Sequence, residues 1–355
     1  MSKLLDILIV GTGRMAATHA ERFARIEGVR VLAAVDVNAD RVQSFCKKYA
    51  IDHAYTDLGI ALSTHEFEAC SVVTPDAFHE QTSVACLQAG LPVLCEKPLS
   101  DSLSSARRMV EASDQSGLMT MVNLSYRTSG ALAKARQYID AGQLGVVRHV
   151  EASYRQSWLA SDYWGDWRHD DAWLWRLSKS HGSAGVLGDV GIHILDFLCA
   201  GVGMNINGLQ CRLQTFDKAP DNRIGNYKLD ANDSCAMNIE LENGALGVVH
   251  MSRYYTGFMN DLVLSIHGSE GAVVVSTGSN GDKLSTSLGG DMHSQRWRSV
   301  ACVDQPDTFE RFVKALRSNE RASPDFADAL RLQHYLSLGF ESHESAKWLS
   351  CTDPS

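Results

Sequence analysis

Short apolar runs alternate with longer amphipathic stretches through the first third of the chain. The runs at residues 7–10, 31–35, 69–73, 92–95 and 119–122 read as buried strands. Between them, residues 15–26, 39–49, 80–89 and 102–116 carry apolar positions at helical spacing. Strands joined by crossover helices predict a parallel, doubly wound α/β sheet. The pattern changes after residue 122. A helix is expected over 129–141, a strand over 146–154, an aromatic loop, and a helix over 186–200. Several strands then follow between 207 and 275, with turn signals at Asn243-Gly244 and Gly268-Ser269-Glu270-Gly271, so an antiparallel sheet is predicted. The polar stretch 217–232 reads as a loop, and helical patterns return over 308–317 and 325–348. The expected organisation is a nucleotide-sized domain over 1–122 and a second α/β domain, built on an open and mostly antiparallel sheet, over 123–355.

A chain of 355 residues with 45% hydrophobic and 21% charged positions has the composition of a globular protein, and its length accommodates two cores. The net charge of -9 repels a phosphate backbone, so no nucleic-acid partner is expected. The first apolar run is interrupted by Asp6 and ends in a glycine loop, which reads as a strand and not a leader. No stretch reads as a transmembrane helix, so no membrane partner is expected. The nine cysteines are odd in number and show no Cys-x-x-Cys spacing. Free buried thiols in a reducing cytoplasm are the expectation, with no metal site. The second sheet should have one face on helices and one left over, which predicts a homodimer or a homotetramer built from dimers.

The first strand runs into Gly11-Thr12-Gly13-Arg14-Met15-Ala16, a G-x-G-x-x-A dinucleotide fingerprint. Gly11 permits the tight turn, Gly13 admits the pyrophosphate, and Ala16 lets helix pack on strand. Arg14 and Met15 open the helix whose N-terminus faces the phosphates. Asp36 ends the second strand, where a carboxylate accepts from ribose hydroxyls and repels a 2'-phosphate. NAD is therefore favoured over NADP, with Arg41 close enough to soften the discrimination.

Three further segments carry chemistry: Thr74-Pro75-Asp76-Ala77-Phe78-His79, Cys95-Glu96-Lys97-Pro98, and the run from Gly185 through Gly188, Asp189, Gly191 and His193 to Asp196. With the fingerprint, they resemble the Gfo/Idh/MocA oxidoreductase family over almost the whole chain. Glu-Lys-Pro after the fourth parallel strand, followed about ninety residues later by D-x-x-x-H, is a specific combination. The resemblance implies a Rossmann domain followed by an open-sheet domain. It implies that Lys97, Asp189 and His193 form the catalytic group, and that Thr74, Pro75, His79, Glu96 and Lys97 lie along the nicotinamide half of the cofactor. The chain departs from many relatives at Ser183-Ala184-Gly185, where they carry three glycines; all three residues remain small.

Residue chemistry points the same way. Oxidising an alcohol needs a base for the hydroxyl proton and a donor for the developing alkoxide. Histidine titrates in the required range, and Asp189 and His193, four apart, share a helix face. His193 is assigned as base, Lys97 as alkoxide stabiliser within the proton relay, and Asp189 as the group that orients and charges it. The order in which Lys97 and His193 take the proton is left open. Taken singly, each residue also fits a structural role, Asp189 as a helix cap and His193 as a core histidine.

Five of the seven tryptophans fall in one stretch: Trp158, Trp164, Trp167, Trp173 and Trp175. Aromatic faces suit the C–H faces of a sugar or cyclitol, and the interleaved Arg168, His169, Asp170, Asp171 and Arg176 suit its hydroxyls. Two or three of these tryptophans should be structural. Trp164, Trp175 and Arg176, with Tyr126, Arg127 and His193, are the expected substrate contacts. The expected activity is hydride transfer between nicotinamide and a secondary alcohol or carbonyl of a sugar, sugar derivative or cyclitol, with a small sugar or polyol as the partner. Two alternatives stay open: an NAD-dependent glycosidase using transient oxidation, and a non-catalytic NAD-binding regulator.

Overall fold

The computed structural model describes residues 4–352. The chain divides into two compact units, Met1–Ser125 with Pro306–Gln333 and Tyr126–Gln305 with His334–Ser355.

The first unit alternates strand and helix: β1 (Leu5–Val10), α1 (Arg14–Phe23), β2 (Val29–Val35), α2 (Ala39–Tyr49), β3 (His53–Tyr55), α3 (Leu58–Thr64), β4 (Ala69–Val72), α4 (His79–Gln88), β5 (Val93–Cys95), α5 (Leu103–Ser116) and β6 (Thr120–Val122). Among the described residues these strands form a six-stranded sheet in the order β3-β2-β1-β4-β5-β6, parallel throughout. The connections diverge between β1 and β4, so a crevice opens at the carboxyl ends of those two strands. The strand β3 and helix α3 were not expected from the sequence. All three residues of β3 are only half-buried, so the strand has no apolar run to announce it. The Glu-Lys-Pro segment accordingly follows the fifth strand of the sheet and not the fourth.

In the second unit come α6 (Gly130–Asp140), β7 (Val147–Gln156), α7 (Asp171–Leu174), α8 (Gly185–Val202), β8 (Ile206–Gln214), β9 (Arg223–Ile224), β10 (Tyr227–Lys228), β11 (Ser234–Leu241), β12 (Leu246–Ser252), β13 (Asn260–Gly268), β14 (Gly271–Thr277), β15 (Lys283–Leu288), α9 (Gly290–His293) and β16 (Arg298–Val300). Then follow α10 (Thr308–Ser318), α11 (Phe326–Ser345) and β17 (Leu349–Ser350). The large sheet, nine-stranded among the described residues, runs β16-β15-β14-β13-β7-β12-β11-β8-β17. Its pairs are antiparallel except β12 with β7. The polar stretch expected as a loop holds a small ribbon, β9 with β10.

One face of this sheet is covered by α6, α8 and the C-terminal part of α11. The helix α8 packs on β7, β11, β12 and β13, and α6 on β14 and β15. Backbone N–H groups of Ile206 and Cys211 in β8 donate to the Tyr335 hydroxyl at 3.2 Å and to Ser342 Oγ at 2.9 Å on α11. The opposite face alternates half-exposed Val248, Val263, Ala272 and Val274 with His250, Ser265 and Ser276.

Two sequence expectations are corrected here. By length and composition the helix α8 is long and apolar enough to cross a membrane, with mean hydropathy 1.6 over its 18 residues. Packing against the sheet satisfies it, with 78% of that stretch buried inside the fold. The boundary 1–122/123–355 also differs from the observed division, because residues 306–333 return to the first unit. The reason is α10: its apolar stripe sets Phe309 and Phe312 against Phe23 of α1, with ring centroids 5.1 and 6.5 Å apart. A capping box between Asp307 and Glu310 starts this helix.

Candidate active site

In the first unit, Gly11 adopts φ +95° and packs so tightly that a Cβ would stand 2.5 Å from the Val73 carbonyl oxygen. Only glycine satisfies both demands. At Gly13 the situation is reversed: a Cβ would meet nothing within 4 Å, so the approach to the backbone is open. Gly13 is the N-cap of α1, no side chain caps the helix, and its first turn has no acidic residue. Arg14 and Met15 of that turn are exposed. An uncapped helix N-terminus beside open space fits a pyrophosphate. The Thr74 hydroxyl at the end of β4 is buried with no hydrogen-bond partner among the described residues, and Pro75 beside it is exposed.

Asp36 is buried and its carboxylate is engaged on both oxygens. Oδ2 accepts from the Thr12 N–H (2.9 Å) and hydroxyl (2.8 Å), and Oδ1 from the Asn38 N–H (3.0 Å) and Arg41 Nη2 (2.9 Å). Burial opposes its ionisation, but the hydrogen bonds from Asn38 and Thr12 and the charge of Arg41 outweigh it and lower its pKa. Arg41 is the half-exposed member of this set.

Glu96 and His79 hold the loops of this site instead of facing outward. The Glu96 carboxylate accepts from His19 Nε2 at 2.8 Å, Asn123 Nδ2 at 2.7 Å and the Lys97 N–H at 3.2 Å. Burial pushes its pKa up, yet the bond to His19, with those from Asn123 and Lys97, brings it down to about 2. His79 is fully buried, with Nδ1 3.0 Å from the Pro98 carbonyl oxygen and Nε2 2.9 Å from that of Thr74. Carbonyls only accept, so satisfying both requires the imidazolium. Burial opposes that charge, but Cys95, Asp76 and the Pro98 carbonyl raise its pKa to about 10. The two residues thereby tie the Thr74–Pro75 turn and the Lys97–Pro98 turn to the sheet, and Lys97 itself is half-exposed.

In the second unit, Asp189 and His193 lie one turn apart on α8, and Asp196 follows on the same face. Asp189 is inside the helix, not its cap. The helix instead starts at Gly185 (φ +72°), where a Cβ would fall 2.2 Å from the Asn232 amide, while the neighbouring Ser183 and Ala184 carry side chains. Asn232 accepts the Val186 N–H on its carbonyl at 2.8 Å and the Leu187 N–H on its side chain at 3.1 Å. Of the three small positions, Gly185 alone is filled to the point of excluding a methyl group.

His193 is buried, with the rings of Tyr126 and Tyr154 edge-on at 5.2 and 6.4 Å. The Tyr126 hydroxyl meets that of Tyr154 at 2.7 Å and accepts from Asn260 Nδ2 at 2.8 Å. Burial raises the pKa of both phenols. Arg127 Nε donates to buried Asp196 at 2.7 Å, so Arg127 braces α8. Trp158 and Trp167 are core residues, 3% and 2% exposed, clustered with Leu159, Leu174, Leu177 and Leu229. Trp164 and Trp175 are 37% and 40% exposed, and the Arg176 guanidinium lies over the Trp175 ring at 4.7 Å. Two of the five tryptophans are thus buried in the core, and two are part-exposed.

Two family models match this chain: an oxidoreductase family with an NAD-binding Rossmann fold over residues 5–124, and the GFO/IDH/MocA C-terminal domain over residues 132–274. The chain belongs to the Gfo/Idh/MocA oxidoreductase family. It is an oxidoreductase with NAD as cofactor. It is similar to a levoglucosan dehydrogenase of Pseudarthrobacter phenanthrenivorans, 24% identical over 82% of this chain and 78% of that protein. It is also similar to a myo-inositol 2-dehydrogenase of Thermotoga maritima, 24% identical over 97% of this chain and 98% of that enzyme. A solved levoglucosan dehydrogenase in complex with NADH and levoglucosan shares the fold, with TM-score 0.84, 22% identity and 98% of both chains covered.

Sequence reasoning missed one member of this site. Arg253, just past the end of β12, is fully buried, and its Nη2 donates to Asp189 Oδ2 at 3.3 Å. A lone arginine after a strand reads as a surface residue, and no motif marks it.

Proposed function

We propose that this protein oxidises a secondary hydroxyl of a sugar or cyclitol with NAD, using Lys97, Asp189 and His193 as its catalytic group. The observation that carries the reading is the Asp189–His193 pair on α8. That helix is otherwise almost wholly apolar and buried, and ionisable side chains there cost desolvation that packing does not demand. Bound NAD would sit on Gly11, Gly13 and the α1 N-terminus with its ribose at Asp36, and it supplies the hydride acceptor. His193 takes the hydroxyl proton, Lys97 stabilises the developing alkoxide by charge and hydrogen bonding, and Asp189 orients and charges the relay. Trp164, Trp175 and Arg176 supply the ring face and hydroxyl contacts, with Tyr126 held beside His193. The names of the relatives support the substrate class.

The nine cysteines are free thiols, which supports a reducing compartment and hence the cytoplasm. The half-exposed valines on the open sheet face support a homodimer, or a tetramer built from dimers.

A screen of sugars and cyclitols with NAD, followed by NADH absorbance, tests the reaction. Net NADH formation is expected. Release of an aglycone without net NADH replaces the reading with a glycosidase, and absence of any turnover replaces it with a regulator. Lys97→Met and His193→Ala should each lower turnover by about two to four orders of magnitude while NAD titration stays nearly unchanged. A His193→Ala enzyme that keeps more than about a tenth of the activity, well outside that range, refutes the base assignment.

A further inference from the structure

Behind Asp189 lies a buried row of alternating charges. Arg253 Nη2 donates to Asp189 Oδ2 at 3.3 Å, and Nη1 donates to the Arg176 carbonyl at 3.1 Å. Its guanidinium lies over the Trp158 ring at 4.9 Å, and its own backbone N–H donates to the Asp233 carbonyl at 3.0 Å. Asp233 in turn accepts from Lys218 Nζ at 2.6 Å and from the Phe216 N–H at 2.9 Å. The side chains of Arg253, Asp233 and Lys218 are fully buried, whereas that of Asp189 is 30% exposed. The row therefore closes on one carboxylate that reaches accessible space. Two cations face two anions, so the group is neutral as a whole, and deleting a member leaves a buried charge uncompensated.

We infer that Arg253 is a positioning residue that holds Asp189 ionised and fixes it against the Trp175–Arg176 segment, the Lys218–Asp233 pair backing it from behind. This rests on the catalytic reading of Asp189 above. The groups facing Asp189 are consistent with this positioning role. Arg253 makes the close contact, Arg176 Nε stands at 4.0 Å, and the Tyr126 and Tyr154 phenols both feel its negative charge. His193 follows one turn along the helix. Arg253 is thus the only wholly buried cation in contact with the carboxylate among these groups. It also joins the backbone of the aromatic loop to α8 through one planar donor, which lysine cannot reproduce.

The test uses the full-length protein and Arg253→Lys, Arg253→Met, Asp189→Asn and the Arg253→Lys/Asp189→Asn double variant. Turnover is measured with the best substrate of the sugar and cyclitol screen. The Asp189 carboxyl is titrated by carbon NMR of aspartate-labelled protein, its resonance assigned by its loss in Asp189→Asn. Arg253→Met should move the Asp189 titration, and the acid limb of kcat/KM, upward by about one pH unit, the shift expected on losing a nearby opposite charge. Arg253→Lys should keep the titration near its original position, yet lower kcat by roughly 10- to 100-fold, the range for displaced supporting groups. In the Asp189→Asn background the lysine substitution should add little, because both act through one group. An unmoved titration in Arg253→Met, or equal slowing by Arg253→Lys with and without Asp189, overturns the inference. If Arg253→Met does not fold, the double-variant comparison decides alone. Near-normal turnover in Asp189→Asn would instead refute the catalytic reading of Asp189, and NMR still reports whether Arg253 sets its charge.

Discussion

Replacing Glu96 by glutamine keeps the size of the side chain and removes its charge, so it tests what the buried carboxylate does for the first unit. Glutamine cannot satisfy the same partners: His19, Asn123 and the Lys97 N–H all donate, and an amide nitrogen must face at least one of them. The folded pKa of about 2 lies well below the ordinary 4.5. A gap of that size corresponds to about 3 kcal/mol of charge-dependent stability at neutral pH. The sign follows from the depression. The contribution is complete above the unfolded value near 4.5 and is lost as pH falls through the folded value near 2. Urea unfolding followed by far-UV circular dichroism should therefore find Glu96→Gln less stable by about 3 kcal/mol at pH 7. The difference should shrink by roughly a quarter at pH 4 and by about half near pH 3.3, midway between the two values. For a unit of this size the neutral-pH loss corresponds to a fall in Tm of roughly 6–12 °C. A loss below about 1 kcal/mol, the worth of an ordinary neutral hydrogen bond, would refute the reasoning. So would a loss that does not diminish on acidification.

Cofactor choice and assembly are open to similar tests. The enzyme should show a higher kcat/KM with NAD than with NADP, and Asp36→Ala should narrow that ratio by about 10- to 100-fold, the equivalent of 1.5–3 kcal/mol of charged hydrogen bonding. Equal efficiencies in the unmodified protein would contradict the ribose role of Asp36. Light scattering at micromolar concentration should find a dimer or tetramer, and Val248→Asp on the open sheet face should shift it toward monomer; a monomeric unmodified protein would end the assembly proposal.

Much of this arrangement was legible in the residues. The glycine fingerprint, the Glu-Lys-Pro segment and the D-x-x-x-H spacing named the two units and placed Asp189 and His193 on one helix face. Periodicity found β1, β2, β4, β5 and β6 because each is apolar on both faces, as burial between helix layers requires. It failed at β3, which is short and half-buried. It found α10 but not its destination: an amphipathic stripe says that a face is buried, not against what. The motif around Glu96 and His79 was visible, but their direction was not. Whether a polar side chain points to a ligand or to a carbonyl behind it depends on partners distant in sequence, such as His19 for Glu96. Arg253 lay furthest from view, since its meaning resides wholly in its burial and in Asp189, 64 positions away.

The return of residues 306–333 to the first unit has a consequence for the order of events on the ribosome. Phe309 and Phe312 complete the core around Phe23, yet 181 positions separate Ser125 from Pro306. At about 5–20 residues per second of translation, the nascent nucleotide-binding half waits roughly 10–40 seconds for its last core side chains. Through that interval the patch on α1 that Phe309 and Phe312 later cover is solvent-facing apolar surface of the kind chaperones bind. Every stop codon that falls before residue 306 leaves it so permanently. The second unit has the strands β7 to β16 of its large sheet by residue 300, and its edge strand β17 and the C-terminal part of α11 come last. The half written first therefore waits for a segment near the other end of the chain, and the species exposed during that interval is the one that carries the cofactor loop.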